Sequence, residues 1–224
     1  YSGSDSTLSA IWPAFTETVS GISKYEYAIC SSSGGTNVVD WTNNNTDTSV
    51  TKAGLTLTNG TAYYISVKAT DNAENESTTI TSDGVIVDTD GPISGTVLDG
   101  TEADIDWTNS TSSLTATWSG FSDTLSGIQK YEYAIGTEID SFSLVNWTST
   151  DLDTFFVESD LTLITGETYY VFVRSTDHVS NTGDISASDG IIVDLVVPLV
   201  GELYDGSESE DMDWQSSDST FVLY

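Results

Sequence analysis

Apolar and polar side chains alternate in short runs along this chain, and clusters of Gly, Ser, Asn and Asp separate the runs. In residues 63–69, Tyr63, Ile65, Val67 and Ala69 fall on one face of an extended strand, and Tyr64, Ser66 and Lys68 on the other. The same alternation returns as Tyr169, Val171, Val173 and Ser175 against Tyr170, Phe172 and Arg174. Tyr131, Tyr133 and Ile135 alternate with Lys130, Glu132 and Ala134, and Leu114, Ala116 and Trp118 mark another inward face. Helical spacing is almost absent, so the pattern predicts short antiparallel strands and an all-β sandwich.

The pattern is written twice. Residues 20–29 (SGISKYEYAI) return at 126–135 (SGIQKYEYAI), and 82–88 (SDGVIVD) at 188–194 (SDGIIVD). Both pairs share an offset of 106 (131 − 25 and 189 − 83), and an offset without drift means one structural unit copied whole. Pro92 and Pro198 end the last strand of each copy. The expected domains are 1–92, lacking its first strand; 93–198, complete; and 199–224, the opening strands of a third copy. Tyr1 aligns with Trp107 and Trp214, and two explanations stand. The sequence is a window on a longer array, or residues 199–224 dock into the gap at the start of another copy and join chains head to tail by strand donation. The duplication of 1–11 by 214–224 counts against donation.

Three features carry a family likeness: Trp12 and Trp118 in the second strand, the stretch 57–69 with its twin at 163–175, and tails at 69–75 and 175–181. In 57–69 a Leu is followed by a Gly-containing turn and then, six residues on, by Tyr63. These residues resemble the fibronectin type III and related bacterial immunoglobulin-like modules. The resemblance implies tandem immunoglobulin-like sandwiches of secreted or cell-surface proteins, with Tyr63 and Tyr169 as corner tyrosines. Asn59 and Thr165 stand where that family usually has a turn proline, a mild departure because Asn also suits turns. The likeness specifies a fold and leaves the function to the sites.

Thirty-five acidic residues face only Lys24, Lys52, Lys68, Lys130 and Arg174, for a net charge of −30. Nucleic acid and anionic membranes would be repelled, whereas divalent cations or saline surroundings relieve the self-repulsion. Six Trp, eleven Tyr and seven Phe supply enough apolar area for folded cores despite the charge. Cys30 is the only cysteine, so no intrachain disulfide forms, and its counterpart is Gly136. No stretch reaches the roughly 18–20 apolar residues of a membrane span, and no signal peptide is present. The chain begins with Tyr, as a processed product or a portion of a longer polypeptide would.

The most pointed acidic cluster is Asp99, Asp104 and Asp106 within 99–107, repeated as Asp205, Asp211 and Asp213 within 205–214. Hard divalent cations take several oxygens from one short Gly-containing loop, so these six residues are the candidate Ca2+ ligands, although the spacing is not that of an EF-hand. Solvated turn carboxylates are the competing explanation. A second candidate is an intermodule clamp. There Asp123 and Asp177, with counterparts Glu17 and Asp71, face Asp88 and Asp90 of the connection. Against it stands the tendency of loop-end carboxylates to bond their own turns, and Val196 replaces Asp90 in the next copy. Trp41 and Trp147 either stack on sugars or cover the sandwich edge. Asn-x-Ser/Thr triplets at Asn44, Asn59, Asn75, Asn109 and Asn146 are weak glycosylation signals in so Ser/Thr-rich a chain.

His178 is the only histidine, and its counterpart is Asn72. No nucleophile elbow, phosphate loop or zinc spacing is present, so an enzyme is not expected. The expected role is a non-catalytic stalk, filament or shaft of an extracellular adhesin-like protein, possible partners being neighbouring copies, glycans or a cell surface. The alternative is a set of carbohydrate-binding accessory modules of a secreted hydrolase.

Overall fold

A computed structural model describes residues 1–139 and 141–201 of the chain. The alternating runs form strands, and no helix occurs among the described residues. The first half contains β1 (Thr7–Ile11), β2 (Ile22–Cys30), β3 (Val39–Asn43), β4 (Ser49–Ala53), β5 (Ala62–Asp71), β6 (Ile80–Thr81) and β7 (Val85–Ile86). The second contains β8 (Thr96–Asp99), β9 (Trp107–Thr108), β10 (Leu114–Ser119), β11 (Ile128–Gly136), β12 (Val145–Asp151), β13 (Phe155–Glu158), β14 (Thr168–Asp177), β15 (Ser186–Ala187) and β16 (Ile191–Val193).

In the second half β13-β10-β8 forms one sheet and β12-β11-β14-β16-β9 the other, with β15 also on β14. In the first half β1 pairs β4, facing a sheet β3-β2-β5-β6 in which β7 also joins β5. The chain is therefore all-β, with two-layer sandwiches in tandem. The registers repeat as well, since Tyr27 lies opposite Val67 and Tyr133 opposite Val173. β16 pairs with β9 in parallel, and the bridge from Ser2 to Val87 is parallel too.

Each half has its own core. Trp12, Tyr25, Tyr27, Tyr63, Ile65 and Val67 lead one cluster; Trp118, Tyr131, Tyr133, Phe156, Tyr169 and Val171 lead the other. Trp118 is 4% exposed and Tyr169 2%, the interior positions that the alternation requires. Trp118 meets Tyr131 edge-on at 5.9 Å, and Trp12 meets Tyr25 in the same way at 5.9 Å. Trp12 lies just past β1 rather than within it, and its N–H continues the ladder to the carbonyl of Thr48 at 2.9 Å. The corner tyrosines close as the resemblance implies: Tyr63 Oη accepts from the N–H of Thr58 at 2.9 Å, and Tyr169 Oη from that of Ile164 at 3.0 Å.

Ser66 and Phe172, on the face opposite the core, are also fully buried. Phe142 lies edge-on against Phe172 at 5.2 Å, so the residues after β11 return across the second sheet and cover it. Alternation separates two faces of a strand but does not say whether the second face is covered.

Candidate functional site

Two groups of three carboxylates form among the described residues. The first bridges the halves. Asp123, in the loop after β10, accepts from the N–H groups of Leu125 at 3.0 Å and Gly127 at 2.6 Å. Asp177, at the end of β14, accepts from the N–H groups of Val179 at 2.9 Å and Asn181 at 2.8 Å, and from Asn181 Nδ2 at 2.7 Å. Both carboxylates thus bond their own turns, as loop-end acids do. Asp88 enters from the first half: its N–H donates to the carbonyl of Ser2 at 2.8 Å, while its Oδ2 accepts from the N–H of Ser126 at 2.9 Å. One carboxylate oxygen from each of Asp88, Asp123 and Asp177 lies within 4.8 Å of the others. Asp88 and Asp177 are fully buried, and Asp88 Oδ1 has no hydrogen-bond partner.

Close backbone approach builds this junction. Ile93 and Ser122 exchange main-chain hydrogen bonds of 2.8 and 3.1 Å. A Cβ added to Gly91 would meet the carbonyl oxygen of Thr182 at 2.5 Å, and one on Gly183 would meet that of Pro92 at 2.1 Å, so only glycine lets the connection lie against the turn after β14. Asp90 does not join the cluster. Its carboxylate accepts from Asn59 Nδ2 at 2.6 Å and so turns to the first half.

Glu17 and Asp71 repeat the local half of this arrangement. Glu17 accepts from the N–H groups of Val19 at 2.9 Å and of Gly21. Asp71 accepts from the N–H groups of Ala73 and Asn75, both at 2.8 Å, and from Asn75 Nδ2 at 2.9 Å. These hydrogen bonds hold both carboxyls below their usual range; those from Val19 and then Gly21 dominate for Glu17, and those from Asn75 for Asp71.

The second group lies inside the second sandwich, where the chain switches sheets between β8 and β9. Asp99 and Asp104 meet Asp189 of the β15–β16 turn, with one carboxylate oxygen from each within 4.8 Å of the others. Asp99 is fully buried and its Oδ1 has no partner; its Oδ2 accepts from the N–H of Gly190 at 3.2 Å, and its own N–H donates to Asp104 Oδ1 at 2.9 Å. Burial pushes the Asp99 carboxyl up to about 6 against the pull of the Gly190 N–H and the nearby Ser188 side chain, and the charges of Asp104 and Asp189 add to the rise.

The candidate residues read from the sequence therefore separate. Asp99 and Asp104 converge, whereas Asp106 is exposed, stands outside the group and offers only its carbonyl, to the N–H of Ile192 at 2.9 Å. Asp205, Asp211 and Asp213 lie outside the described residues. Asp189 was missed as a ligand, although the repeated Ser-Asp-Gly at 82–84 and 188–190 was visible. The basic side chains do not serve either cluster: Lys24 and Lys68 pair with Glu26, Lys68 also with Glu76, and Lys130 and Arg174 with Glu132.

Trp41 and Trp147 are half-buried. Lys68 lies over the Trp41 ring at 5.0 Å and Arg174 over the Trp147 ring at 4.2 Å, with Phe142 packed against Trp147 at 4.8 Å.

No protein-family model matches the chain, and no curated protein matches it. Among solved structures it is similar to the crystal structure of the FN1–FN3 domains of chicken CNTN1, at 16% identity and a TM-score of 0.43, over 86% of this chain and 64% of that one. It is also similar to the crystal structure of domains A168–A170 from titin, at 17% identity and a TM-score of 0.46, over 84% of this chain and 59% of that one. The chain thus spans about three-fifths of the length of each.

Proposed function

We propose that the chain is a non-catalytic segment of a repeat array, forming the stalk, filament or shaft of a secreted or cell-surface adhesin-like protein, and that calcium stiffens its module junction. One observation carries this reading. Asp88 reaches from the first half into the pole where Asp123 and Asp177 converge, with a buried oxygen that no protein group satisfies. Three carboxylates without a basic partner suit a hard divalent cation, and an ion bound to both halves would set the angle between them. The weak affinities typical of extracellular modules, about 10⁻⁴–10⁻³ M, match the calcium available outside cells.

The carbohydrate-binding alternative would stack Trp41 and Trp147 on sugars, and each of these rings already has a cation, Lys68 or Arg174, over one face. Small-angle scattering and thermal melting of the 224-residue chain, with calcium or with a chelator, test the junction. Calcium should extend and narrow the particle and raise the melting of the second half, and Asp123→Asn should remove most of both effects. If the chelator changes neither shape nor melting, the clamp is wrong.

A second observation bears on how modules join. β8 packs against β10, β14 and β15, with Val97 in the core. At the corresponding place in the first half lies a groove of about 180 Å³ lined by Ala10, Trp12, Ile65, Val67, Ile80 and Ser82. An opening strand like β8 suits this groove, whether the chain is a window on a longer array in which that strand lies upstream in the same module, or the strand is donated by another copy. Light scattering separates the sources, since donation gives concentration-dependent oligomers of the isolated chain and a strictly monomeric chain excludes it.

A further inference from the structure

Beyond the junction, we propose that Asp99, Asp104 and Asp189 bind a separate calcium ion that pins the strand switch inside the second sandwich. β8 belongs to one sheet through β10 and β9 to the other through β16, so residues 100–106 cross the open edge of the sandwich. Asp99 is the last residue of β8, and Asp189 precedes β16, the partner of β9. An ion shared by the two would tie the sheets together where the connecting chain crosses between them.

The chemistry points to a cation rather than to solvated turn acids. Asp99 has no exposed surface, and its Oδ1 has no hydrogen-bond partner. A buried carboxylate oxygen with no donor is costly, because it loses water and gains nothing in return. The two carboxylates beside it, Asp104 and Asp189, are exposed and bring further negative charge to the same spot. Lys24, Lys68, Lys130 and Arg174 are paired with Glu26, Glu76 and Glu132, and the first half holds Lys52, so a cation from solution is the charge that suits the cluster. All three ligand atoms are hard oxygens, and the exposed pair leaves room for water to complete a calcium shell. Gly100, at φ +104°, turns the chain tightly enough to bring Asp104 back to Asp99.

The test is equilibrium dialysis of the full 224-residue chain with radioactive calcium at millimolar concentration. The chains compared are the parent, Asp104→Asn, Asp189→Asn and each of these combined with Asp123→Asn. Asp104 and Asp189 are exposed, and circular dichroism checks that each variant folds. Each of the two substitutions should remove one bound ion per chain or weaken it at least about tenfold, the lower end of what losing even an outer-shell partner of a metal costs, in both backgrounds. Each should also reduce the calcium-dependent rise in melting temperature of the second half. Binding and melting unchanged from the parent in both variants, or no calcium bound to the parent, would overturn the proposal. The junction fails separately, if Asp123→Asn leaves binding unchanged while Asp189→Asn lowers it.

Discussion

The side-chain amide of Asn181 donates to the main-chain carbonyl of Asp88 at 2.9 Å, joining two residues 93 positions apart and on opposite sides of the junction. The same amide reaches the carbonyl of Asp90 at 3.2 Å and Asp177 Oδ2 at 2.7 Å. Its counterpart Asn75 bonds only within its own turn, to Asp71. Asn181→Ala should therefore cost about 1–2 kcal/mol of second-half stability and loosen the junction, whereas Asn75→Ala should leave interdomain order untouched. Chemical denaturation and residual dipolar couplings measure the two effects.

The corner tyrosines offer a matched pair. Removing either hydroxyl leaves a main-chain N–H, that of Thr58 or Ile164, without its acceptor. Tyr63→Phe and Tyr169→Phe should each destabilise their own half by about 1–3 kcal/mol. Two-transition melting curves should show one midpoint falling in each variant.

Phe156 stacks on Tyr133 at 4.0 Å with the rings 6° apart, beneath Trp118. Burial and a hydrogen bond to Glu158 hold the Tyr133 hydroxyl protonated well above its usual range. Truncation of that stack by Phe156→Ala should cost about 3–5 kcal/mol. The loss should appear in the second-half transition, because Phe156 touches no residue of the other core cluster.

Acid should weaken the first half through Glu17 and Asp71. Their folded pKa values are depressed, so their contribution is present above the unfolded values and is lost as pH falls through the folded ones. Side-chain NMR titrations should place their midpoints below 4.5 and 3.8. Glu17→Gln and Asp71→Asn should flatten the decline in first-half stability on the acid side of pH 4.5.

The cores were legible because a half-buried strand writes its inward face at every second position, and Trp118, Tyr133, Tyr169 and Val171 obey that rule. Phe172 departs from it because Phe142, thirty residues earlier in the sequence, covers the other face. The carboxylate sites were half legible for a related reason. Asp99 and Asp104 share a loop, so their meeting is local. Asp189 reaches them only because β16 lies beside β9, a neighbourhood that tertiary pairing creates. Asp106, one residue before β9, meets the ladder through its carbonyl and leaves the group.

The parallel pairing of β9 with β16 determines how a module answers tension. Its bonds, from Ile192 to Asp106 and from Asp194 to Thr108, both at 2.9 Å, join a strand near where the chain enters the module to the strand by which it leaves. A pull on the two ends slides these strands past each other, so the rungs are strained together in shear instead of opening one after another like a zip. The first half repeats the arrangement, with Ser2 bonded to Ile86 at 2.9 Å and Asp88 to Ser2 at 2.8 Å. Each half built this way resists stretching by the combined strength of these paired bonds.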